Sequence, residues 1–182
     1  GSAGVVGSVK SAAPPHRMNP DRGAGIESPA LVESAPGITM PTLFEKIEQK
    51  TAHVVVVGIG YVGLPLVAEL ARAGFRVTGL DYDREKVRLL NAGESYIRDV
   101  PTADLAPHVK ARTLAATADP AILAEADAVV VCVPTPLNKT KEPDMRFIVE
   151  ATTEIAKHQH PGMLVVLEST TYPGTTDEVE VP

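Results

Sequence analysis

Short apolar runs and amphipathic segments alternate along the chain from His53 onward. Five runs rich in valine and other apolar residues predict strands: HVVVV (53–57), FRVTGLD (75–81), TLAAT (113–117), ADAVVVCVP (126–134) and MLVVLEST (163–170). The segments between them predict helices at 61–74, 83–92, 102–110 and 144–158, the first closed by Gly74 and the last capped by Asp144. Continuous apolar strands that alternate with helices are typical of a parallel sheet covered on both faces. The pattern therefore predicts an α/β fold with a doubly wound parallel sheet.

The first 42 residues lack such a pattern. They open with GSAGVVGS, which resembles the remnant of a cleaved tag, and continue through segments rich in proline, glycine and serine. We therefore expect a flexible, mostly disordered leader over 1–42, followed by one domain over 43–182. At the start of the domain, TLFEKIEQK spaces Leu43, Phe44 and Ile47 like a short amphipathic helix, which we expect to pack on the domain edge.

Composition and charge narrow the class of protein. Of the 182 residues, 44% are hydrophobic and 22% are charged, and no apolar run approaches the ~20 residues that span a bilayer. The formal net charge of −6 argues against a nucleic-acid partner, because binding to a phosphate backbone needs clustered Lys and Arg. Cys132 is the single cysteine and lies within the apolar run VVVCV, so we interpret it as a core thiol inside the fourth strand of a cytoplasmic protein.

Three glycines follow the first predicted strand directly. The sequence GIGYVG sets Gly58, Gly60 and Gly63 in the pattern Gly-x-Gly-x-x-Gly, where the strand gives way to a helix. In a dinucleotide-binding fold the first glycine permits a tight turn, the second lets the backbone approach a pyrophosphate, and the third lets helix and strand pack closely. Pro65 fits this interpretation, because a proline in the first helical turn removes an N–H that has no helical partner. The alternative is a glycine-rich turn that only connects strand to helix.

A carboxylate at the end of the second predicted strand strengthens the first interpretation. Asp81 lies about twenty residues beyond the glycines, the spacing at which such a residue accepts hydrogen bonds from the adenosine ribose of NAD. Its charge would also repel the additional phosphate of NADP, although Arg84 and Lys86 lie close by in the sequence. The sequence therefore predicts a Rossmann-type domain that binds NAD rather than NADP.

Four motifs in order resemble one enzyme family. GIGYVGLP with Asp81, GESYIRDV (93–100), VCVPTPLNKTKEPDM and LESTTYPGTTDE are similar to the amino-terminal domain of the UDP-sugar 6-dehydrogenases, most of all those acting on UDP-N-acetylglucosamine, then UDP-N-acetylmannosamine and UDP-glucose. The resemblance covers 43–182. It implies oxidation of the sugar C6 alcohol to a carboxylate by two NAD molecules in turn, through a cysteine thioester.

The resemblance also implies that this chain is one part of a longer enzyme. In the family, the nucleophilic cysteine, its lysine and asparagine helpers and most of the sugar pocket belong to a central and a carboxy-terminal domain, which this sequence does not contain. Cys132 does not match the nucleophile. We therefore expect this chain to be inactive alone and the complete protein to form a homo-oligomer.

Residue roles follow from the same resemblance. It places the pyrophosphate at Gly58, Ile59, Gly60, Tyr61, Val62 and Gly63, the adenosine ribose at Asp81 and Lys86, and the nicotinamide ribose at Val133, Pro134 and Thr135. Thr170 matches a threonine near the reacting C6, where its hydroxyl can hold a water or the developing oxyanion, and is the catalytic candidate. Tyr96 and Arg98 are candidates for bordering the substrate.

Each of these interpretations has a structural alternative. VPTP can be a plain turn, Thr170 can cap a helix, and Tyr96 and Arg98 can serve in loop packing and a surface ion pair. The five histidines show no metal-ligand spacing, so no metal is predicted. Two other functions stay open: an NAD-dependent dehydrogenase that acts on a hydroxy acid, and a non-catalytic NAD-binding module.

Overall fold

The computed structural model describes residues 41–136 and 144–169. Its elements, in chain order, are α1 (Leu43–Glu48), β1 (His53–Val57), α2 (Gly63–Arg72), β2 (Arg76–Leu80), α3 (Arg84–Asn91), α4 (Thr102–Lys110), β3 (Leu114–Thr117), a 3₁₀ helix (Pro120–Glu125), β4 (Ala128–Val131), α5 (Arg146–His158) and β5 (Leu164–Leu167). Within this part of the chain the strands form one parallel sheet in the order β3-β2-β1-β4-β5. The predicted doubly wound α/β fold is confirmed.

The winding of the sheet creates a crevice beside β1. From β1 at the centre the chain moves outward through β2 and β3, then returns past β1 to β4 and β5. The register pairs Val57 with both Leu80 and Val131, so β1, β2 and β4 end level at the carboxyl edge of the sheet. In open α/β sheets, ligands bind outside the carboxyl ends of the strands at the point where the strand order reverses. Here that point lies between β1 and β4.

Strand β1 is buried along its whole length because helices cover both faces of the sheet. Val54 and Val56 belong to a core cluster that includes apolar residues of α2, α3 and α4. Val55 and Val57 belong to a second cluster, which includes residues of α5 and of the 3₁₀ helix. An unbroken run of valines is the pattern that such two-sided burial requires.

Strand β4 is shorter than the predicted 126–134. It ends at Val131, so Cys132 lies directly beyond the strand rather than inside it, although its N–H still donates to the Val57 carbonyl at 2.8 Å. Pro134 and Pro136 follow, and proline has no N–H to donate to a strand ladder. The ladder therefore stops where the backbone leaves the sheet.

Helices α2 and α5 begin later than predicted. Residues 58–62 form a turn, so α2 begins at Gly63; it ends before Gly74, whose φ of +94° cannot continue a helix. The prediction that Asp144 caps α5 is wrong, because the N-cap is Met145. The Asp144 carboxylate instead accepts a hydrogen bond from the Arg146 N–H at 3.2 Å and pairs with the Arg146 guanidinium.

The short helix α1 forms as predicted but does not bury its apolar side chains. Thr42 and Glu45 exchange the two hydrogen bonds of a capping box, which starts the helix. None of its residues is buried, and Phe44 is 68% exposed. Among the described residues, an ion pair between Lys46 and Asp127, the residue directly before β4, joins α1 to the sheet.

Candidate functional site

The turn between β1 and α2 packs closely against Cys132 and Val133, which directly follow β4. Gly58 has a φ of +89°, which favours glycine, and its N–H donates to the Leu80 carbonyl at 2.8 Å. A Cβ added at Gly58 would lie 2.8 Å from the Cys132 carbonyl oxygen. A Cβ added at Gly63 would lie 1.8 Å from the Gly58 carbonyl oxygen. These two glycines are therefore required by the fold itself.

Gly60 lies in a different environment. A Cβ added there would meet no atom within 4 Å, so the space beside it is open. Within 41–136 and 144–169, no group accepts a hydrogen bond from the backbone N–H of Gly60, Tyr61 or Val62. Tyr61 is 85% exposed, and α2 has no side-chain cap at its amino end. Free N–H groups and the positive end of the helix dipole together suit an anion such as a phosphate.

Asp81 connects the glycine turn to the end of β2. Its Oδ2 accepts hydrogen bonds from the Ile59 N–H at 3.0 Å and from Lys86 Nζ at 3.2 Å, and its Oδ1 accepts one from the Asp83 N–H at 2.9 Å. The side chain is only 13% exposed, yet an ionised carboxylate has about four acceptor positions. Asp81 can therefore hold the turn in place and still accept a hydrogen bond from a ligand hydroxyl.

Two adjoining cavities open at this edge of the sheet. The larger, of about 350 Å³, is lined by the glycine turn, Asp81, Lys86, the segment 132–135, Glu168 and Ser169. The smaller, of about 260 Å³, lies between the ends of β1 and β2 and the helix α5, and its walls include Leu80, Leu123, Phe147 and Ala151. Gly58, Asp81, Lys86, Val133 and Pro134 line both cavities. The arrangement can accept an elongated ligand with a polar middle and one flat apolar end.

The structure brings most of the predicted cofactor residues together at this crevice. Gly58, Gly60, Tyr61, Val62, Asp81, Lys86, Val133, Pro134 and Thr135 all line the larger cavity. Ile59, also in the turn, is fully buried, and its N–H donates to the Asp81 carboxylate. The contact of any of them with a cofactor stays a prediction.

The predicted substrate-side and catalytic residues are less close to the crevice. Tyr96 lines neither cavity; its hydroxyl donates to the Ile59 carbonyl at 2.7 Å. Arg98 is exposed and also lines neither cavity. Thr170 lies outside the described residues, so its role stays a prediction.

Some residues of the site leave little trace in the sequence. Ser169 donates from Oγ to the Val133 carbonyl at 2.8 Å, which ties the end of β5 to the segment after β4. The smaller cavity is also absent from the sequence predictions, because Phe147 and Ala151 have the spacing of an ordinary core face of a helix. The sequence places Ser169 at the end of the fifth predicted strand, but its bond to the Val133 carbonyl follows only from the register of β4 and β5.

Cys132 is a packing residue of the turn. Its side chain is 7% exposed, and a Cβ at Gly63 would lie 3.4 Å from the Cys132 Cβ. Burial, and secondarily the charge of Glu168, raises the pKa of the thiol to about 11. A nucleophilic cysteine needs the opposite shift, so the geometry gives Cys132 no such role.

Neither a metal cluster nor a membrane-spanning helix occurs in the described part of the chain. No group of three or more His, Cys, Asp or Glu side chains there could hold a metal ion. None of the helices in 41–136 and 144–169 is long and apolar enough to cross a membrane.

Comparisons with known proteins identify the domain. Residues 52–182 match the family model described as the UDP-glucose/GDP-mannose dehydrogenase family, NAD binding domain. The chain is 37% identical over 133 residues to a UDP-N-acetyl-D-glucosamine 6-dehydrogenase of Pseudomonas aeruginosa, covering 73% of this chain and 31% of the relative. It is 38% identical over 132 residues to a UDP-N-acetyl-D-mannosamine dehydrogenase of Escherichia coli K12, covering 70% and 30%.

A solved structure gives the same result. The crystal structure of a ternary complex of GDP-mannose dehydrogenase from Pseudomonas aeruginosa is similar with a TM-score of 0.68 and 30% identity, over 71% of this chain and 31% of that one. The chain thus spans about 31% of the length of such relatives. The crevice with its glycine turn, and the match over 52–182, lead to one conclusion: the chain belongs to the UDP-glucose/GDP-mannose dehydrogenase family and carries its NAD-binding domain.

Proposed function

We propose that the chain supplies the NAD-binding part of a nucleotide-sugar 6-dehydrogenase. The substrate we propose is UDP-N-acetylglucosamine, with UDP-N-acetylmannosamine and UDP-glucose as the next candidates, oxidised at the C6 alcohol to a carboxylate with two NAD. The names of the relatives support this substrate class. The observation that carries the proposal is the glycine turn beside the Asp81 carboxylate, where the N–H groups of Gly60, Tyr61 and Val62 have no acceptor among the described residues and the space at Gly60 is open. When bound, NAD accepts hydride from the sugar carbon.

The geometry supports a specific position for each part of the cofactor. The N–H groups of Gly60, Tyr61 and Val62 bind the pyrophosphate, whose charge compensates for their missing acceptors. Asp81 accepts hydrogen bonds from the adenosine ribose, and Lys86, which already contacts Asp81, lies against the same sugar. The segment Val133, Pro134 and Thr135 also lines the larger cavity, and Thr135, which does not line the smaller one, supports a position beside the nicotinamide ribose.

The smaller cavity suits the adenine ring. Its walls are apolar where Leu123, Phe147 and Ala151 meet, and a flat base buries its faces there. Asp81 stands at its entrance, so a phosphate on the adenosine ribose would meet a carboxylate at close range. We therefore expect NAD to bind more tightly than NADP.

Other parts of the activity belong to the complete protein. We propose a leader over 1–42 and an NAD-binding domain over 43–182, with the nucleophilic cysteine and most of the sugar pocket in the remainder of a longer, homo-oligomeric enzyme. Thr170 lies near the reacting C6, and Arg98 lies on the substrate side. The enzyme works in the cytoplasm and supplies precursors for polysaccharide synthesis. The present chain alone is then inactive as a dehydrogenase.

Calorimetric titration with NAD and with NADP tests the proposal. We expect the chain to bind NAD, to bind NADP more weakly, and to lose NAD binding on Gly60→Val, since a Cβ at Gly60 meets no atom within 4 Å and the added side chain would fill the open space. Ala73→Val is the matched control: it creates the same valine side chain at the exposed far end of α2 and should leave the affinity unchanged.

Two results would contradict the proposal at different levels. A chain that unfolds cooperatively but binds neither NAD nor NADP would refute the assignment of the crevice. If NAD binds but the full-length protein does not reduce it with any of the three UDP-sugars, the activity is wrong, and a non-catalytic NAD-binding module becomes the better reading.

A further inference from the structure

Two side chains from different loops hold the peptide groups of one residue of the glycine turn. The Ile59 N–H donates to Asp81 Oδ2 at 3.0 Å, and the Ile59 carbonyl accepts from the Tyr96 hydroxyl at 2.7 Å. The Ile59 side chain is fully buried and packs against β2, where a Cβ on Gly79 would lie 2.6 Å from it. Ile59 is therefore fixed at three points, and Tyr96 is the only one of the three contributed by the loop 93–100.

The loop that carries Tyr96 is itself held in place. Ser95 Oγ both donates to the Ile97 carbonyl at 3.0 Å and accepts from the Ile97 N–H at 3.2 Å, and the Ser95 N–H donates to Thr102 Oγ1 at 3.1 Å. Ile97 and Val100 are buried in the core. The Tyr96 hydroxyl is thus presented from a packed segment rather than from a free loop end.

The planarity of the peptide transmits this contact to the binding side of the turn. In a trans peptide the carbonyl and the following N–H point in opposite directions, and the described residues contain no cis peptide. Because the Ile59 carbonyl points at Tyr96, the Gly60 N–H must point away from Tyr96. Gly60 lines the larger cavity, whereas Tyr96 does not.

The chemical state of Tyr96 suits it to this contact. Burial, followed by the charges of Asp81 and Asp83, raises the pKa of its phenol well above the ordinary value of 10.0. The phenol therefore keeps its proton at neutral pH, and a backbone carbonyl has no proton to give in return. The hydroxyl can act here only as the donor.

We infer that Tyr96 is a positioning residue for the cofactor: through the Ile59 carbonyl it fixes the peptide that aims the Gly60 N–H at the pyrophosphate. This inference rests on the proposed binding of NAD at that turn and goes beyond it, because Tyr96 acts from behind the turn without touching the ligand. Removing the hydroxyl lets the Ile59–Gly60 peptide reorient, so the loss should fall on the phosphates and spare the nucleoside.

The test compares three ligands that share the adenosine but differ in phosphate content. NAD and ADP carry the pyrophosphate, and adenosine carries none. Tyr96→Phe keeps the ring and removes only the hydroxyl, and we expect it to weaken NAD and ADP by about two- to tenfold, the equivalent of one hydrogen bond. Adenosine, followed by ligand-observed NMR, should bind Tyr96→Phe and the unaltered chain alike.

Thr113→Val is the matched control. The Thr113 hydroxyl also donates to a backbone carbonyl, that of His108 at 3.2 Å, but it lies before β3 at the opposite edge of the sheet. The control should lose a similar amount of stability and keep its affinity for all three ligands. In ¹H–¹⁵N spectra, ADP should shift the amides of Gly60, Tyr61 and Val62 in the control as in the unaltered chain, and less in Tyr96→Phe.

The outcomes separate the inference from the function on which it rests. If the unaltered chain binds neither NAD nor ADP, the proposed function fails and the inference fails with it. If the unaltered chain binds both and Tyr96→Phe binds them equally well, the inference alone is overturned. It is also overturned if Tyr96→Phe weakens adenosine by the same factor as ADP, because the tyrosine would then only support the fold.

Discussion

Gly60 and Gly63 should respond differently to substitution by alanine. At Gly63, an added Cβ would lie 1.8 Å from the Gly58 carbonyl oxygen and 2.9 Å from its carbonyl carbon, whereas non-bonded carbons ordinarily stay about 3.5–4 Å apart. At Gly60, the same Cβ would meet nothing within 4 Å. Gly63→Ala should therefore destabilise the fold, and Gly60→Ala should not.

The magnitude for Gly63→Ala follows from what would have to move. The obstacle is backbone, and Gly58 is held by its N–H bond to the Leu80 carbonyl and by its φ of +89°, so it cannot yield as a flexible side chain would. Overpacking of this kind costs about 1–3 kcal/mol, and the short contact puts Gly63→Ala near the upper end. Alanine in a helix recovers at most about 1 kcal/mol. We expect a net loss of about 2 kcal/mol in the free energy of unfolding, or roughly 4–8 °C in Tm.

Urea unfolding followed by far-ultraviolet circular dichroism measures both variants. Gly60→Ala should stay within about 0.5 kcal/mol of the unaltered chain, as is usual for a change at an open surface. Equal slopes against urea concentration would show that only the native state has changed. The reasoning is refuted if Gly63→Ala is as stable as the unaltered chain, or if Gly60→Ala loses as much as Gly63→Ala.

The other predictions concern the amino edge of the sheet. His53 is 4% exposed, and burial, followed by the charge of Arg76, lowers its pKa below the ordinary 6.5. Below pH 6.5, His53 takes up a proton more readily in the unfolded chain than in the folded chain. The stability of the fold is therefore not reduced by His53 above pH 6.5, and it decreases as the pH falls below that value. An NMR titration that gives His53 a pKa of 6.5 or above would contradict this. Asp127→Ala should cost about 1–3 kcal/mol because it leaves the buried His53 N–H without its acceptor, whereas Lys46→Met, which removes only a partly exposed partner of Asp127, should cost less than about 1 kcal/mol. Urea unfolding measures the loss of stability in both variants. Equal losses would show that the ion pair, and not the hydrogen bond from the His53 N–H, accounts for the stability.

The alternation of apolar runs and helices was sufficient to predict the sheet and its winding. The run at 53–57 coincides with β1, because a central strand buried on both faces admits only apolar residues along its length. The spacing from Gly58 to Asp81 also placed both residues at the carboxyl edge, because parallel strands end together. Position along the chain is enough for these features.

Contacts between distant residues could not be predicted in the same way. The bond from Tyr96 to the Ile59 carbonyl joins residues 37 apart, and nothing in the periodicity of either segment marks it. Helix α1 shows the related difficulty: its apolar spacing predicted a helix correctly, but Lys46 rather than Phe44 makes the described contact with the sheet. Periodicity determines which side of a helix is apolar and leaves open what that side meets.

Polar groups at the two edges of the sheet differ in their hydrogen bonding, and this difference supports the position of the proposed site. At the amino edge, His53 bonds through its ring to Thr78 Oγ1 at 2.8 Å and to the Glu125 carbonyl at 3.2 Å, and Asp127 accepts from both His53 and Lys46. At the carboxyl edge, the N–H groups of Gly60, Tyr61 and Val62 find no acceptor among the described residues. Tyr61 and Val62 are exposed, so water can accept from such N–H groups until a phosphate replaces it. The chain closes one edge with its own side chains, and the donors left at the other edge support the proposed binding of the NAD phosphates there.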